Sequence, residues 1–209
     1  EEEIRFAGVV TGSSTENTWK AKARPFDIFD IKGYVGELLA RNGVVNYVLE
    51  SCKNALTTQK TLCVKKDGEL LGLFGEITQH ILQQFDIDQA VYLFDFDLGK
   101  LTANRVMERK FRPIPKYPPS KRDLAVVVGE TVKAEELVKE IEKNGGEFLR
   151  SVRLFDVFTG ESIGEGKKSL AFNLTFFSLD RTLMDGEVES QIERILDALS
   201  TRYSAKLRG

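Results

Sequence analysis

The chain has 209 residues, 42% of them hydrophobic and 30% charged, with a formal net charge of −2. That length accommodates two modest domains, each able to bury its own core, and the composition is neither that of a disordered chain nor that of a membrane protein. Near-neutral charge excludes a nucleic-acid binder that works through a global basic field, so any RNA contact must rest on a local patch.

The chain opens on Glu1 rather than methionine, so an excised piece of a longer protein is expected. Ile4 to Thr11 alternates weakly and predicts a strand, followed by a polar loop over Gly12 to Asn17. Asp27 to Asn42 is the clearest helix of the first half, with Ile28, Ile31, Val35, Leu38 and Leu39 on one face. Asp27 suits the N-cap and Gly43 the stop. Val44 to Leu49 predicts a strand. Thr61 to Lys66 and Glu69 to Phe74 flank Asp67-Gly68, a strong hairpin signal. Ile77 to Phe85 predicts a short helix and Ala90 to Phe96 a strand. Nothing in this order alternates as βαβ, so residues 1–104 predict an antiparallel α+β module.

Cys52, Cys63 and the single histidine, His80, are too few for a Cys/His zinc cluster. Nothing suggests secretion, so both cysteines are expected to stay reduced in a cytoplasmic protein. No apolar run approaches the length of a membrane span. From residue 105 to residue 120 the pattern lapses, and Pro113, Pro115, Pro118 and Pro119 cluster there. Proline fixes the backbone and removes donors, so this segment predicts a semi-rigid linker between two domains.

Residues 121–209 are the most regular part. Lys121 to Val128 predicts a strand. A helix with Leu137, Val138 and Ile141 on one face follows, stopped at Asn144-Gly145. Strands over Phe148 to Phe158 and Ser169 to Phe177 come next, then a helix from Asp185 and a short last strand at Ala205 to Arg208. The order βαββαβ is the ferredoxin-like split unit. Period two sorts its sheet into faces. Leu124, Val126, Val128, Phe155, Val157, Leu170, Phe172, Leu174 and Phe176 belong under the two helices. The other face keeps Asp123, Ala125, Asp156, Phe158, Ser169 and Asn173, small and polar with one aromatic ring, a seat suited to an unstacked base. Taken alone, Phe158 reads equally as a stacking ring or as one packed beside Leu154 and the connection at Ser162 to Gly164.

These residues also carry a resemblance. Arg122 to Val128 (RDLAVVV), Leu154 to Phe158 (LFDVF), Gly166 to Phe172 (GKKSLAF) and Arg181 to Leu183 (RTL) resemble the anticodon-binding domain that closes the beta subunit of bacterial phenylalanyl-tRNA synthetases. Phe26 to Gly43, Gly68 to Glu76 and Val91 to Leu98 resemble the non-catalytic module of the same subunit, similar in fold to class II synthetase catalytic domains. The family often carries His-Pro-Gly-Arg and Gly-Glu-Leu-His-Pro segments where this chain has Leu56 to Gln59 and Gly75 to Gln79. The resemblance assigns Ala125, Asp156, Phe158 and Ser169 to the first anticodon bases. Phe158 stands where the family commonly has a stacking tyrosine. Lys121, Arg122 and Lys168 are expected on the tRNA backbone. It further implies tRNA(Phe) as ligand, and an alpha subunit as partner in a heterotetramer of two alpha and two beta chains. ATP and magnesium are used by the whole phenylalanine–tRNA ligase at an active site on that alpha subunit.

Other chemistry is weak. Gly160 to Ser169 imitates a phosphate loop but has the wrong glycine spacing and leads into a strand rather than a helix. His80 has no nucleophile or second histidine beside it. Asp27 and Asp30 read as helix-capping carboxylates. The arginine motifs of class II aminoacylation are not readable, so this segment alone is expected to be non-catalytic and to hold no cofactor or metal. The alternative function is a ferredoxin-like regulatory module that binds a metabolite or a protein partner.

Overall fold

In the computed structural model, which describes residues 2–106 and 116–208, each half of the chain builds an antiparallel sheet of its own. The chain divides into two units, Glu1–Lys110 and Phe111–Gly209. Most of the proline-rich segment, residues 107–115, lies outside the described residues.

The first unit contains β1 (Arg5–Thr11), α1 (Ile28–Arg41), β2 (Val48–Ser51), β3 (Leu62–Lys66), β4 (Glu69–Glu76), α2 (Gln79–Gln84), β5 (Val91–Asp97) and α3 (Leu98–Ala103). The strands form one antiparallel sheet in the order β1-β5-β4-β3-β2. Helix α1 starts where its sequence demands. The Asp27 carboxylate accepts the N–H groups of Phe29 and Asp30 at 2.8 and 3.1 Å, and Asp30 returns the favour to the Asp27 N–H at 2.9 Å. Arg24 grips the Asp30 carboxylate with two bonds of 2.7 and 2.6 Å. That guanidinium, with the Asp27 N–H, holds Asp30 down to about 2. The acidic pair is therefore a helix cap. Below the cap, Ile31, Val35 and Leu39 are buried against Leu71, Phe74 and Phe96 of the sheet.

Asp67 and Gly68 both take positive φ, 50° and 84°, the backbone of the tight hairpin their dipeptide predicts. Gly72 is needed for a different reason: a Cβ there would lie 2.3 Å from the Phe96 ring. Two expectations shift. The strand expected at Val44 begins only at Val48, because Asn46 turns the chain with φ 58° while Val44 packs into the core. Helix α3 was not anticipated; Asp97 caps it by accepting the Lys100 N–H at 2.9 Å.

The cysteines correct the sequence reading. Cys52 and Cys63 are joined in a disulfide rather than kept as thiols. Cys52 continues β2 and donates its N–H to Thr61 at 3.1 Å, so strand pairing with β3 brings the two Cα atoms to 5.8 Å. Compartment arguments carry no such geometric information. Closing this short loop is expected to add ~2–3 kcal/mol to stability. Denaturant unfolding with and without reductant measures it, and thiol titration of the unreduced, unfolded chain should find no free cysteine.

The second unit contains β6 (Ser120–Gly129), α4 (Ala134–Asn144), β7 (Leu149–Phe158), β8 (Lys167–Phe176), α5 (Asp185–Tyr203) and β9 (Lys206–Leu207). Sheet order β7-β8-β6-β9, antiparallel throughout, is that of the ferredoxin-like unit. Leu124, Val126, Val128, Leu170, Phe172, Leu174 and Phe176 are buried with Leu137, Ile141, Val188, Ile195 and Leu199 of the two helices. Arg181 binds Glu187 in the first turn of α5 with a 2.6 Å bond. Arg181 and the Met184 N–H hold the Glu187 carboxyl at about 2.

One part of the expected core is not core. Phe155 and Val157 are each 54% exposed. The register of β7 slips between Leu154 and Asp156, so Phe155 is an extra residue in a bulge. Val152 and Leu154, before the slip, carry the packing of β7 against the helices. Being an edge strand, β7 runs past that cover, and the hydrophobic pair at its end stays in solvent.

Candidate nucleic-acid interface

The helices lie on one face of the second sheet, and the opposite face is built in rows by strand register. One row runs Ala125, Ala171, Asp156 across β6, β8 and β7. The next runs Lys206, Val127, Ser169, Phe158 from β9 to β7. Asp123, Asn173 and Arg153 make a third, and Lys121, Thr175 and Ser151 a fourth. Beyond β9, Arg208 donates its N–H to the Ala125 oxygen at 2.9 Å, which extends the first row. The bulge at Phe155 has a direct effect here. Because Leu154 faces the core, unbroken alternation would send Asp156 and Phe158 to the core as well, and the extra residue returns them to the open face.

The four residues assigned to bases thus sit in two adjacent rows. Ala125 is half-buried and supplies a low floor. Asp156 is exposed and makes no ion pair or side-chain hydrogen bond among the described residues. The Phe158 ring is 38% exposed. A Cβ on Gly160 would meet its Cζ at 3.0 Å, so glycine there lets the ring settle beside the connection. Ser169 differs from its neighbours. It lies between Val127 and Phe158, only 2% exposed although no helix covers this face, and its hydroxyl has no hydrogen-bond partner among the described residues. A buried hydroxyl left unpaired is costly, so any group that bonds to it gains by doing so.

The three basic residues assigned to the RNA backbone do not stay together. Lys121 shares the open face with Ala125. Arg122 and Lys168 point to the helix side by the same alternation. Arg122 reaches Asp185 at 2.6 Å and Ser120 at 3.0 Å, and the Lys168 ammonium donates to the Glu130 carbonyl at 2.7 Å. Both are occupied in holding the fold. By the same alternation Lys167, Arg153, Lys206 and Arg208 share the open face with Lys121, and the last three were not singled out by the sequence pattern. Arg208 also lies over the Phe158 ring, its guanidinium carbon 4.9 Å from the centroid. Only the register of β9, a strand of two residues, reveals that placement.

Elsewhere the geometry removes rivals. The connection from Thr159 to Lys167 lines an open groove with Glu130, Glu161 and Glu165, an acidic wall that repels phosphate. His80 is exposed, 3.3 Å from the Gln84 amide. Among the described residues no three His, Cys, Asp or Glu side chains are grouped to hold a metal.

Two family models match the chain. The phenylalanyl tRNA synthetase beta chain CLM domain covers residues 1–98, and the ferredoxin-fold anticodon binding domain covers residues 115–208. The phenylalanine–tRNA ligase beta subunit of Bacillus licheniformis is 36% identical over 210 aligned residues, which is 100% of this chain and 26% of that protein. The corresponding subunit of Bacillus subtilis is 35% identical, covering 98% of this chain, and that of Pseudomonas putida is 35% identical, covering 97%; each alignment spans 26% of the relative.

Proposed function

Since the chain belongs to the phenylalanyl-tRNA synthetase beta-chain family and spans about a quarter of the length of its relatives, we propose that its second unit is the surface that reads the anticodon of tRNA(Phe). The observation that carries this reading is the open sheet face, where an exposed ring, an unpaired carboxylate and a buried, unpartnered hydroxyl stand in adjacent rows. Phe158 stacks a base, and loss of the hydroxyl that a tyrosine would offer leaves the π-face intact. Ser169 Oγ and the Asp156 carboxylate bond to base edges, with Ala125 allowing close approach. Asp156 accepts from the N–H groups of a guanine, which adenine does not present in the same way. Lys121 and Arg153 hold phosphates along the face, and Arg122 and Lys168 contribute through the fold rather than through the RNA.

The test is a titration of the chain with tRNA carrying the phenylalanine anticodon and with an anticodon-swapped tRNA. The cognate tRNA should bind more tightly, and Asp156→Ala should narrow that preference as well as lower affinity. Equal binding of both tRNAs by the native chain would overturn the reading in favour of a protein- or metabolite-binding module.

The rest of the assignment follows from the family. The whole ligase joins phenylalanine to tRNA with ATP and magnesium at a site on an alpha subunit, in an assembly of two alpha and two beta chains. The first unit is scaffold in that assembly. A cytoplasmic location suits the role, and among the described residues no helix is long and apolar enough to cross a membrane. In a reducing compartment the Cys52–Cys63 bridge is then expected to open. Residues 105–120 act as the joint between the units. Limited proteolysis should cut there first and leave two folded pieces; a cooperative single unit resistant throughout that segment would count against a linker there.

A further inference from the structure

The contact between Arg208 and Phe158 fills the place a base would take. The guanidinium stands 4.9 Å from the ring centroid, whereas a base stacked between the two would need roughly twice the ~3.4 Å stacking rise. Arg208 therefore blocks the seat as it stands, and must withdraw for the seat to fill. We propose that Arg208 is the movable outer wall of the base seat, closing over Phe158 in the free domain and stacking on the far side of the base once it has entered. This rests on the reading of the open face as an anticodon platform.

Three features fit a part built to move a short distance. The backbone of Arg208 is anchored by its N–H on the Ala125 oxygen, so the side chain swings from a fixed root. Among the described residues no carboxylate lies in ion-pair reach of its guanidinium, and a cation over a solvent-exposed ring is a weak contact that a stacking base can replace. Ser169, beside Phe158 in the register, keeps a hydroxyl without a partner while the cover is closed. A base edge gives that hydroxyl the bond it lacks, which offsets opening the cover. A planar guanidinium is the right shape to close again on the outer face, where an ammonium is not.

The experiment compares the native chain with Arg208→Lys, Arg208→Ala and Phe158→Ala. Stopped-flow rates are read with a fluorescently labelled stem-loop of the phenylalanine anticodon and with a swapped one. Arg208 is exposed, so the variants should fold, and circular dichroism melts check it. Both Arg208 variants should release the cognate stem-loop about tenfold faster, with association no slower in the lysine variant. Native rates from Arg208→Lys would reduce Arg208 to a phosphate-binding charge, and native rates from Arg208→Ala would leave it no role; either overturns the proposal. Loss of anticodon preference in the native chain, with no effect of Phe158→Ala, would overturn the platform itself. A platform that survives while the Arg208 arms stay native would sink the wall alone.

Discussion

Replacing Phe158 by alanine is expected to weaken binding of the cognate anticodon stem-loop by ~1–3 kcal/mol, roughly 5- to 150-fold, while Phe158→Tyr is tolerated. The size follows from what the ring does. Phe158 is 38% exposed in a row it shares with Lys206, Val127 and Ser169, so its ring is the π-surface that this row can offer to a base. Alanine removes that surface and uncovers the Ser169 hydroxyl, whereas tyrosine keeps the ring and adds a group with room toward solvent. The loss should appear within the complete ligase, where the remainder of the beta subunit and the alpha subunit add affinity to a near-neutral domain. Normal binding by a folded Phe158→Ala protein would remove the open face from the anticodon contact.

Much of this was legible from pattern alone, and the exceptions have physical causes. The alternation of Leu124, Val126 and Val128, and of Leu170 to Phe176, fixes two strands and their buried faces, because half-buried antiparallel strands admit only one side for large apolar groups. Helices with a single greasy stripe and a matching cap, such as the one begun by Asp27, are equally plain. The bulge at Phe155 is invisible because one extra residue leaves the local alternation intact on each side of it. Phe155 and Val157 were assigned to the core because they are the large apolar members of that stretch, and no local window shows that the end of β7 runs past the helices. Arg122 and Lys168 were grouped with Lys121 by charge, yet position parity already sends them to the opposite face. Arg208 and the Cys52–Cys63 bridge depend on which strands pair, a long-range fact that no local window contains.

Removing the Phe172 side chain should destabilise the second unit and leave the first untouched. Phe172 is fully buried at the centre of the cluster that joins β6 and β8 to both helices, and Phe→Ala at such a site costs ~3–5 kcal/mol through lost transfer energy and the cavity left behind. For a unit of this size that lowers its melting temperature by more than ~10 °C. The first unit has a separate core, with Phe74 and Phe96 fully buried and no member shared with the other cluster. Calorimetry should therefore show two transitions, with Phe172→Ala moving one and Phe74→Ala moving the other. A single transition shifted alike by both variants would mean that the two cores unfold as one. The same pair of variants calibrates the binding experiment. Phe172→Ala should abolish tRNA binding in step with the loss of the second unit, whereas Phe158→Ala should weaken binding with neither transition moved. Only a residue that touches the ligand can separate the two measurements in that way.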